Sequence, residues 1–233
     1  MANSAADERL VLGILSERAQ NDLVRVWPQL QNLSPEQIKA ALADILPELG
    51  DKYGDAASSM AADWYENLRE SEGVTTRFRS VLAKRTEEAQ WRSLIWRVMG
   101  PFYTVNKEPN PDDALVIARG GLQRAVANQH RLTIVDSTKA DPASKGWRRV
   151  GIGENCKFCE MLIDRGKVYR GDTVSFRSHD HCNCAAQPTW SSDVVYVSGM
   201  PYEQSKARPR SDELAREKNQ RAYDWMDEHL GGH

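Results

Sequence analysis

All four cysteines of this 233-residue chain lie in one short stretch, together with two of its five histidines. Cys156 and Cys159 form a Cys-x₂-Cys pair, and the pair Cys182 and Cys184 follows His179. A structural Zn²⁺ ion binds four Cys or His side chains in a tetrahedron, and cysteines three residues apart present two thiolates from one tight turn. The spacing therefore predicts a structural zinc site.

The stretch contains more donors than one zinc ion can bind. The leading interpretation takes the four cysteines as ligands, and in the alternative His179 replaces Cys182 or Cys184. His181 has the wrong parity to share a face with Cys182 and Cys184 on an extended segment, so it is the weakest candidate. A site closed by four ligands leaves no position for a reactive water, which favours a structural role over a catalytic one.

Composition and cysteine usage indicate the class of protein. A hydrophobic fraction of 40% and a charged fraction of 27% are typical of a soluble globular chain. No apolar run approaches the roughly 20 residues of a membrane helix, and residues 1–9 lack the pattern of a signal peptide. We therefore expect no membrane association, and synthesis and assembly in a reducing cytoplasm, where clustered cysteines bind metal more readily than they form disulfides.

Charge is unevenly distributed along the chain. Residues 1–73 carry six Lys or Arg against thirteen Asp or Glu, whereas residues 145–177 carry eight against four. This polarity favours docking between subunits, or a basic face near nucleic acid. Ordinary solvated surfaces would explain it equally well.

The first half of the chain has the periodicity of amphipathic helices, which predicts a helical domain over residues 1–135. The first stripe comprises Val11, Leu15, Ala19, Leu23, Val26 and Leu30. Ser34 to Gln37 has the pattern of a capping box that begins a second helix. Pro47, Gly50 and Gly54 predict a kink in that helix or its division into two.

Two further helices are expected in this domain. The third is predicted over residues 75–99 and ends at Gly100-Pro101, and Asn110-Pro111 opens the fourth. Gly120 and Gly121 weaken that fourth helix unless a neighbouring element packs closely against them. The tryptophans on these stripes are expected to anchor the core: Trp27, Trp64, Trp91 and Trp96.

The pattern changes after residue 135. Residues 136–146 are polar and broken by Pro142 and Gly146, as expected for a linker. Residues 147–205 then predict a zinc-binding β-rich module, with strands over 147–152 and within 188–197, a hairpin over 167–176 and a short helix over 156–165. Residues 206–233 predict a tail helix with a narrow apolar stripe. The expected fold class is mainly α with a small zinc-stapled β-rich (α+β) module and a C-terminal helix.

Aromatic and basic residues of the module are candidates for contact with a partner protein or with DNA, on the expectation that they are exposed. They are Trp147, Arg148, Arg149, Tyr169 and Arg170. Packing at the rim of a small domain is the alternative role for each of them.

The residues around the cysteines resemble a known family. They read Gly153-x₂-Cys156-x-Phe-Cys159-x-Met-Leu, then Arg165-Gly-x-Val-Tyr169, then His179-x₂-Cys182-x-Cys184-x₃-Pro188. This pattern, over about residues 147–190, resembles the C-terminal motif of Mu F-like minor head proteins of tailed phages, in the version found in actinobacteriophages. The chain departs from the motif at Asp180, where proline is usual, and at Asn183, where arginine is usual.

The resemblance implies a virion protein present in a few copies at the portal vertex or capsid interior and acting in head morphogenesis. It implies contacts with the portal protein, the major capsid protein or both, and packaged double-stranded DNA is a further candidate partner. Proteins of this kind are also labelled capsid maturation proteases, which gives the alternative function.

The residues provide little for an enzyme. Ser175 and Ser178 lie near His179, His181 and Asp180, but proximity in sequence is not the geometry of a catalytic triad, and no Gly-x-Ser-x-Gly motif occurs. Asp180-His181 beside cysteine pairs is similar to the start of a His-Asn-His nuclease finger. That weaker alternative lacks a following metal-binding histidine before the chain end. A non-enzymatic assembly protein with a structural zinc site is therefore the predicted function.

Overall fold

The computed structural model describes residues 5–103, 108–151, 157–164, 168–169, 176, 178–182 and 184–196. Cys156, Arg170, the tail helix expected over 206–233 and most of the expected hairpin lie outside this part. The elements are α1 (Ala5–Leu30), α2 (Pro35–Ser71), α3 (Glu88–Met99), α4 (Pro111–Ala140), β1 (Gly146–Val150), α5 (Lys157–Asp164) and β2 (Ala185–Thr189). The described chain is mostly helical with one two-stranded sheet and a cysteine cluster, which confirms the predicted fold class.

Helix α1 buries one face against α2 and α4. Ala19, Leu23 and Leu30 of the predicted stripe are buried, whereas Val11 is exposed and its neighbour Leu12 takes the inward position. The buried stripe thus begins at Leu12, one residue later than predicted.

Helix α2 is continuous, and its interruptions serve packing. Its N-terminus has the predicted capping box, in which Ser34 accepts from the Gln37 backbone N–H and the Gln37 side chain accepts in return from the Ser34 N–H. Pro47 lies inside the helix without dividing it. The Trp91 ring of α3 packs onto Gly50 and Gln129 of α4 packs beside Gly54, so the absent side chains admit neighbouring ones.

The predicted third helix begins later than expected. Residues 74–87 form neither helix nor strand, and α3 starts only at Glu88. Two backbone groups of this segment donate to side chains of α4: the Val81 N–H to Ser137 Oγ at 2.9 Å and the Ala83 N–H to Thr133 Oγ1 at 3.0 Å. These hydroxyls replace the hydrogen bonds that a helix would have provided. The expected core role of Trp96 on α3 is wrong, because its side chain is 70% exposed.

Helix α4 is the central element and contacts α1, α2, α3 and both strands. It begins as predicted, with the Asn110 side chain accepting from the Asp113 N–H and Pro111 in the first turn. Gly121 lies directly under the Leu94 side chain, which is the close packing expected of the glycine pair. The helix continues to Ala140, through half of the segment predicted as a linker.

The β-rich region shares its core with the helices. Strands β1 and β2 pair antiparallel, with Trp147 opposite Pro188, and Trp147 also bridges to Tyr169. One buried cluster joins side chains of α2, α4 and the β-rich region: Ala61, Trp64, Tyr65, Ile134, Val135, Trp147, Tyr169, Phe176, Ala186, Trp190 and three cysteines. The strands and the cysteines are therefore positioned by packing against the faces of α2 and α4 that contribute to this cluster.

A buried ion pair holds this junction. The Asp141 carboxylate, at the end of α4, accepts from Arg69 Nε at 2.8 Å, from the indole N–H of Trp190 at 2.9 Å and from the Tyr65 hydroxyl at 3.2 Å. Burial alone raises the pKa of Asp141, but the hydrogen bonds from Arg69 and Trp190 outweigh it and hold the pKa below its ordinary value. The carboxylate thus fixes α2 and the residue that follows β2 to the end of α4.

Substitution of Gly50 by alanine is expected to destabilise the helical core by about 1–3 kcal/mol, because the added methyl group overlaps the buried Trp91 ring. The matched control is Gly13→Ala on the exposed face of α1, where the methyl group meets open space. That change should stabilise the chain by about 0.5–1 kcal/mol through helix propensity. Urea unfolding followed by circular dichroism measures both. Equal effects of the two substitutions would contradict the packing.

Asp141→Asn is expected to lower the free energy of unfolding at pH 7 by about 3–5 kcal/mol, because Arg69 keeps its buried charge without a counter-ion. A lowered folded pKa gives stability that is complete above the unfolded value of about 3.9 and is lost as the pH falls through the folded value. The difference from wild type should therefore shrink in urea unfolding below about pH 4. Asp136→Asn, which removes a half-exposed pair with Lys139 on the same helix, should cost less than about 1 kcal/mol at either pH.

Candidate metal centre

Three of the four cysteines meet in the shared core. Cys159 comes from α5, and Cys182 and Cys184 come from the segment that leads into β2. The Sγ atom of Cys159 lies 3.4 Å from the Sγ atom of Cys182 and 3.8 Å from that of Cys184, and the Sγ atoms of Cys182 and Cys184 are 2.8 Å apart. All three side chains are buried. Cys159 therefore lies beside Cys182 and Cys184, which are more than twenty positions away in the sequence, as the cysteine spacing predicts.

The sulfur separations fit a metal–thiolate site. Tetrahedral Zn–S bonds of about 2.3 Å place sulfurs roughly 3.8 Å apart, close to the two Cys159 distances. Cys182 and Cys184 are too far apart for a disulfide bond of about 2.05 Å, and their sulfurs must separate by about 1 Å to share one ion. The three cysteines form no disulfide with one another, and together they could hold a metal ion.

His179 adds a nitrogen donor to the three sulfurs. Its Nε2 lies 3.6 Å from Cys159 Sγ, and its Nδ1 lies 2.7 Å from the carbonyl oxygen of Asp180. A ring that donates its Nδ1–H to a carbonyl carries its lone pair on Nε2, which is the nitrogen that then binds a metal in many histidine sites. The described residues thus bring three thiols together, with the imidazole of His179 beside one of them. Cys156, a ligand in the leading interpretation, lies outside them.

His181 does not join this group. Its ring lies against Gly120 of α4, and its backbone has a positive φ of 61°. The prediction that His181 is the weakest ligand candidate agrees with this position. The close approach also explains Gly120, since a Cβ there would collide with the imidazole.

The thiols polarise one another. Hydrogen bonds from Cys159 and Cys184, together with the charge of Arg131, lower the pKa of Cys182 well below its usual range. The same hydrogen bonds to Cys182 and Cys184, with burial, raise the pKa of the Cys159 thiol. These contacts favour the thiolate form of Cys182 over that of Cys159.

Arg131 of α4 lies beneath the cysteine loop and is fully buried. Its Nε donates to the carbonyl of Cys184 at 2.8 Å and its Nη2 to the carbonyl of Cys182 at 2.7 Å. Its Nη1 donates to Ser178 Oγ and Asn128 Oδ1, both at 3.0 Å. Burial lowers the pKa of Arg131, and the nearby sulfurs of Cys184 and Cys182 oppose that shift. The sequence offered only a weak signal for this role, a charged residue between the apolar positions of α4.

Arg149 of β1 contacts a cysteine sulfur directly. Its Nη1 lies 2.7 Å from Cys184 Sγ, and its guanidinium stacks 3.9 Å from the centre of the Phe176 ring. Arg131 lies 5.3 Å from the same ring centre. Two buried cations beside three sulfurs fit an anionic thiolate cluster, because buried charges require counter-charges.

Asp180 explains one departure from the motif. Its carboxylate lies 2.9 Å from Arg97 Nη1 of α3 and 3.2 Å from Arg124 Nη1 of α4. The proline usual at this position could form neither ion pair. In this chain the ligand loop is therefore attached to α3 and α4 by charge as well as by packing.

The expected exposure of the contact candidates is wrong for three of them. Trp147, Tyr169 and Arg149 are 1%, 8% and 6% exposed, and the rings of Trp147 and Tyr169 stack at 4.6 Å. Alternation along β1 turns Trp147 and Arg149 towards the shared core and leaves Arg148 in solvent, where it donates to Gln187. Arg170 lies outside the described residues, so Arg148 is the described candidate that remains at the surface.

Comparison with known proteins places the chain in a family. A family model described as VG15 protein matches residues 2–208, which is most of the chain. The chain therefore belongs to the VG15 protein family, a family of viral (phage) proteins. No curated protein and no solved structure matches it. Within the described residues, no helix is long and apolar enough to cross a membrane.

Cys182→Ser is expected to remove most of the bound metal, because a neutral hydroxyl replaces a central thiolate of the cluster. Elemental analysis after gel filtration under reducing conditions should find about one metal ion per wild-type chain and little in the variant. His181→Asn is the matched control, since asparagine accepts a positive φ and His181 lies against Gly120. Equal metal content in wild type and Cys182→Ser would contradict the site.

Proposed function

We propose that this protein is a minor capsid protein of a tailed phage, acting in head morphogenesis at the portal vertex or capsid interior, with a structural zinc ion in the cysteine cluster. The observation that supports it most is that the polar groups around the cluster are engaged in packing contacts. Arg131, Arg149 and Asp180 all bind neighbouring protein atoms. Membership of a phage protein family and resemblance to Mu F-like minor head proteins agree with this role.

Zinc is the proposed ion because the clustered donors are soft thiolates, with an imidazole beside Cys159. A zinc ion in such a site contributes folding free energy, and Cys159, Cys182 and Cys184 would hold it with Cys156 or His179 as the fourth ligand. Its proposed role is to join α5 to the loop before β2.

The capsid maturation protease alternative lacks support from the described residues. Ser178 Oγ donates to Asn128 Oδ1 at 2.8 Å and accepts from Arg131, rather than facing a histidine base. His179 is turned towards Asp180 O and Cys159. A serine nucleophile requires a base within hydrogen-bond reach and a group that orients that base, and these contacts leave Ser178 without them. Ser175 lies outside the described residues.

The nuclease alternative meets a similar difficulty. The Asp180 carboxylate pairs with two arginines, and the His181 ring packs on α4, so this dipeptide does not present a metal-binding face. The other internal histidine, His130, is buried on α4 with its Nε2 2.9 Å from the Glu8 carboxylate of α1. That contact is a buried link between α1 and α4 and not part of a hydrolytic site.

The proposed partners are the portal protein, the major capsid protein or both, with packaged double-stranded DNA as a further contact. The excess of acidic residues over 1–73 and of basic residues over 145–177 favours electrostatic docking. Among the candidates named from the sequence, Arg148 is the described side chain available for it.

Co-expression with the portal and major capsid proteins of the same phage tests the proposal. The chain is expected to co-sediment with the assembled particles at about 0.1 M salt and to be released at about 1 M, where the Debye length is about 3 Å. The double variant Cys159→Ser/Cys182→Ser should co-sediment less, whereas His181→Asn should behave as wild type. Absence from particles at low salt, with both partners present and the chain folded, would overturn the proposed function.

A further inference from the structure

Arg131 and Arg149 are the two buried cations closest to the cysteine cluster among the described residues, and they approach it differently. Arg131 rises from α4 and binds the carbonyl oxygens of Cys182 and Cys184 at 2.7 and 2.8 Å. Arg149 comes from β1 and binds the sulfur of Cys184 at 2.7 Å. One arginine therefore acts on the backbone of the ligand loop and the other on a ligand atom.

The contacts of Arg131 leave few other ways to compensate its charge. The centre of the Phe176 ring lies 5.3 Å from its guanidinium and offers no negative charge. The other acceptors of Arg131 are a hydroxyl and an amide oxygen, on Ser178 and Asn128, which are neutral. A buried cation requires an anion nearby, and the sulfurs are the candidate anions in these contacts.

We propose that Arg131 and Arg149 are positioning residues of the metal centre: Arg131 holds the loop in its ligating shape, and Arg149 hydrogen-bonds a metal-bound thiolate. The inference rests on the proposed structural zinc site and specifies its charge. A divalent cation bound by three thiolates and a neutral imidazole carries a net charge of −1, and one bound by four thiolates carries −2. The buried guanidinium of Arg131 therefore favours a thiolate-rich, anionic complex over one in which neutral or oxygen ligands dominate.

The two arginines should give different experimental results. Arg131→Met keeps the unbranched aliphatic part of the side chain but frees both carbonyls, so zinc affinity should fall by about 10- to 100-fold, as for other residues that orient ligands. Arg149→Met removes a hydrogen bond from Cys184 Sγ. A thiolate without that bond donates charge more readily, so the sulfur-to-metal charge-transfer band of the Co²⁺-substituted protein should move to longer wavelength. Arg149→Lys, which keeps a charged donor, should restore most of the band position.

Zinc affinity is measured on the full chain by competition with a chromophoric chelator, and Co²⁺ spectra are recorded on the same variants. Arg148→Met is the matched control, because Arg148 lies on the same strand, is exposed and donates only to Gln187 in the recorded contacts. It should change neither quantity. Wild-type affinity in Arg131→Met together with a wild-type band in Arg149→Met would overturn the inference.

A further variant covers the case in which Arg131→Met fails to fold. Ser178→Ala removes one neutral acceptor of Arg131 and should lower zinc affinity by a smaller factor while circular dichroism stays unchanged. Unchanged affinity in that folded variant would overturn the role of Arg131. Wild-type protein that binds neither Zn²⁺ nor Co²⁺ would instead refute the zinc site itself, so the failure of the two proposals can be told apart.

Discussion

The β-rich region is too small to bury a core by itself, and the described structure depends on that constraint. Two five-residue strands and an eight-residue helix expose most of their apolar surface unless something covers it. The walls of α2 and α4 provide the cover, and Trp147 and Trp190 lie in one cluster with Trp64 and Tyr65. Helix α4 must therefore serve two cores along its length, which explains why it remains helical beyond residue 135 and why glycines occur where α3 and the ligand loop approach it.

Packing of the helices against the β-rich region also buries charged side chains, and their charges are compensated in two different ways. Arg69 faces Asp141, a carboxylate that the chain itself supplies. Arg131 and Arg149 face cysteine sulfurs, whose charge depends on protonation and on metal. The charge of Arg69 is therefore balanced by a carboxylate of the protein, whereas the charge balance at the cysteine cluster depends on the ionisation of the thiols and on a bound metal.

Local patterns were predictable from the sequence where one physical cause dominated. The capping box at Ser34, the start of α4 at Asn110 and the convergence of Cys159 with Cys182 follow from chemistry that few other arrangements satisfy. Residues 75–87 were wrongly predicted as helix, because two of their backbone N–H groups donate to hydroxyls on α4, which are remote in sequence. Trp147 and Arg149 were expected at the surface because strand alternation does not reveal which face is covered, and the role of Arg131 required the tertiary structure.

The position of Arg131 has a consequence for the order in which the chain is made. Helix α4 leaves the ribosome before the loop that contains Cys182 and Cys184, so at that moment its arginine has no carbonyls or sulfurs to bind and stays hydrated. Covering this side of α4 before that loop exists would bury an uncompensated charge, which costs several kcal/mol. The same cation that secures the finished protein thus disfavours early closure of the helical bundle over this face.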